Sequence, residues 1–172
     1  DTVDSTVRRA LIKFPIDNGT IPSGSTVNSA ILTLTYRLDR SANARTASIY
    51  RVKRVWVVGE ATWNVFSTGN NWGTAGCADT TNDREATDIG SFTQPASPTI
   101  GTTVDVALTA ASIQAMIIGG SFTNNGFLFQ VATESDDAIF YDSTDATTSA
   151  DRPKLVVDYT ALGIGGSYSF FM

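Results

Sequence analysis

Apolar and polar residues alternate with a period of two along most of this chain, and that period predicts strands. Ala10, Ile12 and Phe14 fall on one side of a first strand over 7–14, with Arg9 and Lys13 opposite. The clearest alternation runs over 27–36, placing Ala30, Leu32, Leu34 and Tyr36 inward and Thr33 and Thr35 outward. A strand over 47–57 follows a short polar turn, so the two are expected to form a hairpin. Further strands are predicted at 104–108, with Val104, Val106 and Leu108 inward, at 127–131, at 138–142 and at 153–159.

The run 104–131 organises the rest. After its first strand, Thr109 can cap a short helix whose Ile113, Met116 and Ile117 form one apolar stripe. Gly119 and Gly120 end that helix, and the turn Asn124-Asn125-Gly126 leads into Phe127, Phe129 and Val131. Strand, helical turn and strand together plug the open end of a β-sandwich. Two segments break the alternation. Residues 58–98 hold Trp63 and Trp72 among polar residues, and a loop of that length is expected to hide a short strand or two and to carry a binding surface. The stretch 161–172, ALGIGGSYSFFM, is uncharged and ends in large apolar side chains.

Composition narrows the class. A chain of 172 residues, 42% hydrophobic and 17% charged, can bury one core without staples. There is one cysteine, Cys77, and no histidine, so neither a Ser-His-Asp nor a Cys-His arrangement can be built. An enzyme is not expected, and paired carboxylates such as Glu60 with Asp79 or Asp83 carry no spacing that would argue for one. The net charge of −5 argues against nucleic acid, and no apolar run is long enough for a membrane helix. The chain opens at Asp1 without a signal-like segment, which fits either removal of an upstream part or numbering from an ordered start. Asn18-Gly19-Thr20 matches an N-glycosylation sequon, a short pattern that chance also produces.

Three constellations can carry function. Arg37, Arg40, Arg45, Arg51, Lys53 and Arg54 put six of the twelve basic residues within eighteen positions. Parity places Arg51 and Lys53 on the outward side of their strand. Together with Arg37 they can hold the carboxylates of an acidic glycan through forked hydrogen bonds, with Trp72 stacking on a sugar ring, or the cluster can form a solvated sheet face. Asp79, Asp83, Glu85 and Asp88 can wrap a calcium ion, which takes six to eight oxygens, or line a solvated loop. Asp136, Asp137, Asp142 and Asp145 make a second such group. Leu162, Ile164, Phe170, Phe171 and Met172 in the tail can form an assembly contact.

Four blocks, taken in order, resemble the DNRLRE-type domains, a jelly-roll group that includes carbohydrate-binding modules of bacterial extracellular proteins. They are ALIKF with IPSGSTVNSAILTLTY, then VWVVGEATWN, then DVALTAASIQAMIIGG with NNGFLFQV, and finally DRPKLVVDY. They span roughly 7–160. The chain departs from the family's pattern at Met116 and Ile117, where a tryptophan often stands, and at DSTDATTSADRP, where Ser-x-Glu often precedes the last Arg-Pro. The resemblance implies an all-β jelly-roll sandwich of two antiparallel sheets with one short helix, here over 1–160, in an extracellular setting with a polysaccharide as partner. The apolar tail 161–172, read as a docking segment, and a charge that is basic over 1–60 and acidic beyond point to other protein subunits of an assembly such as a virion surface, and the acidic loop offers calcium as a cofactor. The expected role is a structural or adhesion module of a larger assembly. The alternative is a carbohydrate-binding module for an acidic polysaccharide.

Overall fold

The computed structural model describes residues 7–40, 43–134, 138–163 and 167–171, with backbone only at 39, 40, 138, 167 and 171. The fold is an all-β sandwich. Its eleven strands among the described residues are β1 (Ala10–Ile12), β2 (Thr26–Arg40), β3 (Arg45–Arg51), β4 (Val65–Ser67), β5 (Asn70–Asn71), β6 (Gly90–Gln94), β7 (Thr103–Leu108), β8 (Phe127–Val131), β9 (Ala138–Tyr141), β10 (Lys154–Thr160) and β11 (Ser167–Phe171). One helix, α1 (Ala110–Gln114), follows β7.

A four-stranded sheet runs β1-β8-β3-β6, and a second runs β11-β10-β2-β7, with β9 also pairing with β2. All pairings are antiparallel. The chain changes sheet at β1 to β2, β2 to β3, β6 to β7, β7 to β8 and β8 to β9, the wrapping of a jelly roll. The hairpin expected between the second and third strands does not form, because β2 and β3 lie in opposite sheets and β3 pairs with β8 and β6. Alternation alone fixes which residues of a strand face the core, not which strand sits beside it.

The inward residues of both sheets fill the space between them. Ala30, Leu32 and Leu34 of β2, Val106 and Leu108 of β7, and Leu155 and Val157 of β10 face Ile49 of β3 and Phe127 of β8. Ile113, Met116 and Ile117 are buried in the same core, but α1 ends at Gln114 with Ala115 as its C-cap, so Met116 and Ile117 lie in the turns that follow and the helix does not run on to Gly119 and Gly120 as expected. Thr109 makes no side-chain cap, and its carbonyl takes the N–H groups of Ser112 and Ile113 instead. What anchors α1 is Gln114. Its Oε1 accepts from Val27 N–H at 2.6 Å and its Nε2 donates to Ser25 O at 2.8 Å, tying the helix to the start of β2.

The four-stranded sheet is covered on its other face too. Leu128 and Val52 point away from the main core and pack with Trp72 and Cys77, flanked by Leu11, Tyr50, Trp56, Ala61 and Phe66. The long segment after β3 therefore folds back as a cap with a small core of its own. Burying Val52, Leu128 and Trp72 is worth about 1.5–3 kcal/mol each, enough to hold a cap whose only strands are the β4–β5 pair.

Candidate functional site

The cap takes up most of the side chains that the sequence offers for binding. Trp72 is 5% exposed and donates its indole N–H to Thr62 O at 2.9 Å, so it does not reach a ligand. Its polar neighbours Asn71 and Gly73 are exposed while the ring between them turns inward. Trp63 is the more open ring, 39% exposed, lying against the backbone of Gly76 with the Arg9 guanidinium 5.1 Å from its centre. Arg9 in turn grips Glu134 with two nitrogens, at 2.6 and 2.9 Å, and donates to Gly76 O.

Arg51 is on the inward side of β3, in line with Ala47 and Ile49, and not on the outward side that parity suggested. Both faces of β3 are covered, so charge is no guide to direction there. At the end of the sandwich its guanidinium lies 4.1 Å from the centre of the Phe122 ring and donates to Ser112 O. Lys53 donates to Thr80 O and Thr81 O and pairs with Glu85 at 3.4 Å. Arg54 lies over Phe66 and donates to Asp83. Arg45 donates to Thr133 O, and the Arg40 side chain lies outside the described residues. The basic cluster is thus largely a set of clamps on carbonyls, rings and carboxylates.

The proposed calcium ligands are not brought together. Among the described residues, no three carboxylates or thiols converge on a point that could hold a metal. Asp83 is fully buried and spends its oxygens on Gly73 N–H (2.9 Å), Thr74 N–H (3.1 Å), Asp79 N–H (3.3 Å) and Arg54 Nε (2.8 Å). Burial pushes its pKa up, and these donors outweigh that and hold it below the usual aspartate value. Asp79 is lowered by the amide of Asn82 and the N–H of Thr81, which its carboxylate accepts. Glu85 is engaged by Lys53, and Asp88 accepts from Ser48. Asp136 and Asp137 of the second acidic group lie outside the described residues.

Two open surfaces among the described residues bear on the predicted sites. The first is a groove of about 420 Å³ beside β2 and β9, lined by Arg37, Leu38, Phe140, Asp142, Ser143 and Thr147 among others. Arg37 has a 69% exposed side chain and pairs with the nearly buried Asp142 at 3.2 Å. It is the one proposed glycan-binding residue left facing solvent. The second is the edge of the larger sheet. The tail does not hang free there, as the lack of alternation had suggested. Residues 167–171 form β11, which pairs with β10 from Thr160↔Ser167 to Val156↔Phe171. Phe170 packs against the main core, so it is a fold residue as well as an edge residue. Tyr168 stacks on Tyr159 at 5.8 Å, and Leu162 is 76% exposed. Ile164, Met172 and the Phe171 side chain lie outside the described residues.

Sequence reasoning missed β11 because its glycines precede the strand and mask a five-residue run of high β propensity, SYSFF. It missed the hub role of Asp83 because three of its four partners are backbone N–H groups, which leave no trace in residue types. No family model, no curated protein and no solved structure matches the chain.

Proposed function

We propose that the chain is a non-catalytic structural module that joins or decorates a larger extracellular assembly, such as a virion surface, through the edge formed by β11. The observation that carries this reading is the edge itself. Its five residues hold no charge and no proline, and natural sheets normally place such features where an edge must stay alone. The resemblance to DNRLRE-type domains supports the same class, a passive module on extracellular proteins. The test is incorporation of the full chain into its native assembly. Ser169→Glu, which sets a charge on the exposed middle of β11, is expected to fold and to be left out. Normal incorporation of that variant overturns the reading.

A second reading, carbohydrate binding, is favoured by the groove beside β9. There hydroxyls, the half-buried Phe140 and the exposed Arg37 stand together beside Asp142 and Asp145, a mix suited to a sugar's hydroxyls and ring face, with Arg37 as the group for a carboxylate. Titration with a polyuronate oligosaccharide, with and without calcium, tests it. Arg37→Ala is expected to weaken binding at least tenfold and more strongly at low salt. A blank titration of the unmodified chain removes this reading.

A further inference from the structure

We propose that the partner at this edge is a second copy of the same chain, and that β11 pairs antiparallel with the partner's β11 so that the two larger sheets join. The inference rests on the assembly reading and supplies its partner.

The edges of the structure are not alike. β1 is three residues long with Arg9 and Lys13 beside it. β6 ends at Gln94, directly before Pro95. β7 carries Asp105 in mid-strand, and β9 pairs with β2 across a register slip. Each of these is a known way of discouraging further pairing. β11 has none of them: it is uncharged, free of proline, and paired with β10 residue for residue without a slip. Among the described residues no strand lies on its other side.

The sequence of β11 is also complementary to itself. An antiparallel pair centred on Ser169 sets Tyr168 opposite the partner's Phe170, and Phe170 opposite the partner's Tyr168, both on the face that looks into the sandwich. Aromatic residues directly across from one another are favourable pairs. Tyr168 is 43% exposed although it faces inward with Tyr159, because among the described residues no strand beyond β11 covers its flank. The pairing supplies that cover. It also meets no repulsion. The nearest acid in register is Asp158, beside Ser169 on β10, and the two copies of it stand three strand spacings apart, about 14 Å. That exceeds the screening length of about 8 Å at physiological salt. This two-fold contact closes as a dimer, and one short strand is weak alone, so it gains when the dimer is also held in a larger assembly through other contacts.

The experiment is symmetric cross-linking of the full chain. Ser169→Cys brings two thiols directly opposite each other, within the span a disulfide allows. The native Cys77 is buried and does not compete. Under mild oxidation Ser169→Cys is expected to form covalent dimer at least tenfold faster than Ser29→Cys, an exposed cysteine in the middle of the same sheet. Adding Tyr168→Glu to the cysteine variant should remove that advantage. Equal rates for Ser169→Cys and Ser29→Cys overturn self-pairing. If they are equal while Ser169→Glu is still excluded from the native assembly, the edge takes a strand from another protein and only the identity of the partner falls. If Ser169→Glu also assembles normally, the reading beneath it falls as well.

Discussion

The Asp83 carboxylate lies 2.8 Å from Nε of Arg54, and of the two side chains Asp83 is completely buried while Arg54 is about one-third exposed. The pair is the knot of the cap. Arg54 leaves the end of β3 and covers Phe66, while Asp83 gathers the N–H groups at 73, 74 and 79 into one turn of chain. The cap thereby stays pressed on Leu128 and Val52 with little regular secondary structure of its own.

Asp83→Ala is expected to cost about 3–5 kcal/mol, because it strands a guanidinium and three N–H groups without an acceptor. Asp83→Asn keeps an acceptor and should cost less. Chemical denaturation followed by tryptophan fluorescence checks the order. Equal stability of the alanine variant and the parent chain would contradict the assignment.

Acid should loosen the cap. The pKa of Asp83 is held below its unfolded value, so its contribution is complete above that value, about 3.9, and fades as pH falls through the lower folded one. Cys77 reports the event. It is buried beneath the cap, and burial, then the nearby Asp83 charge, push its thiol up to about 12, so it is inert while the cap is closed. Labelling with a dithiodipyridine, which reacts at low pH, should be negligible at pH 7 and accelerate below about pH 4. Asp83→Asn should flatten that dependence.

Arg51→Ala should act on stability and not on ligands. Losing the ring contact with Phe122 and the bond to Ser112 O is expected to cost about 1–2 kcal/mol by denaturant titration. Polyuronate binding, if present, should be unchanged, in contrast to Arg37→Ala. A loss of binding without a loss of stability would return Arg51 to a ligand site.

Removing the chain after Thr160 is expected to destabilise the sandwich instead of leaving an intact monomer. It uncovers β10 and deletes Phe170 from the core margin. Phe170→Ala alone should cost about 2 kcal/mol, less than a fully buried phenylalanine because its site is partly open. Thermal unfolding of both forms checks this.

Much of the sandwich was legible in the sequence because strand burial follows a period of two. The inward residues of β2 and β7, and the burial of Ile113, Met116 and Ile117, followed from spacing, although the helix that was to carry all three ends at Gln114. β3 was misread for a physical reason: both its faces are buried, so Ala47, Ile49 and Arg51 share one side while Tyr50 and Val52 pack under the cap. A pattern that equates charge with water cannot find an arginine lying over a phenylalanine. The candidate site was less legible. Trp72 and Asp83 sit among polar residues that predict exposure, and their burial depends on contacts with Thr62, Gly73 and Thr74 that no periodicity encodes. Arg37, named with the basic cluster, does face solvent, because β2 runs on to Arg40 and carries it out there.

The most direct test of the assembly account is competition. The unmodified chain and Ser169→Glu, mixed in equal amounts, are offered to the native assembly and the incorporated fraction is weighed by mass spectrometry. Enrichment of the unmodified chain by tenfold or more is the predicted result, with both proteins equally folded beforehand. Recovery in the input ratio would contradict it.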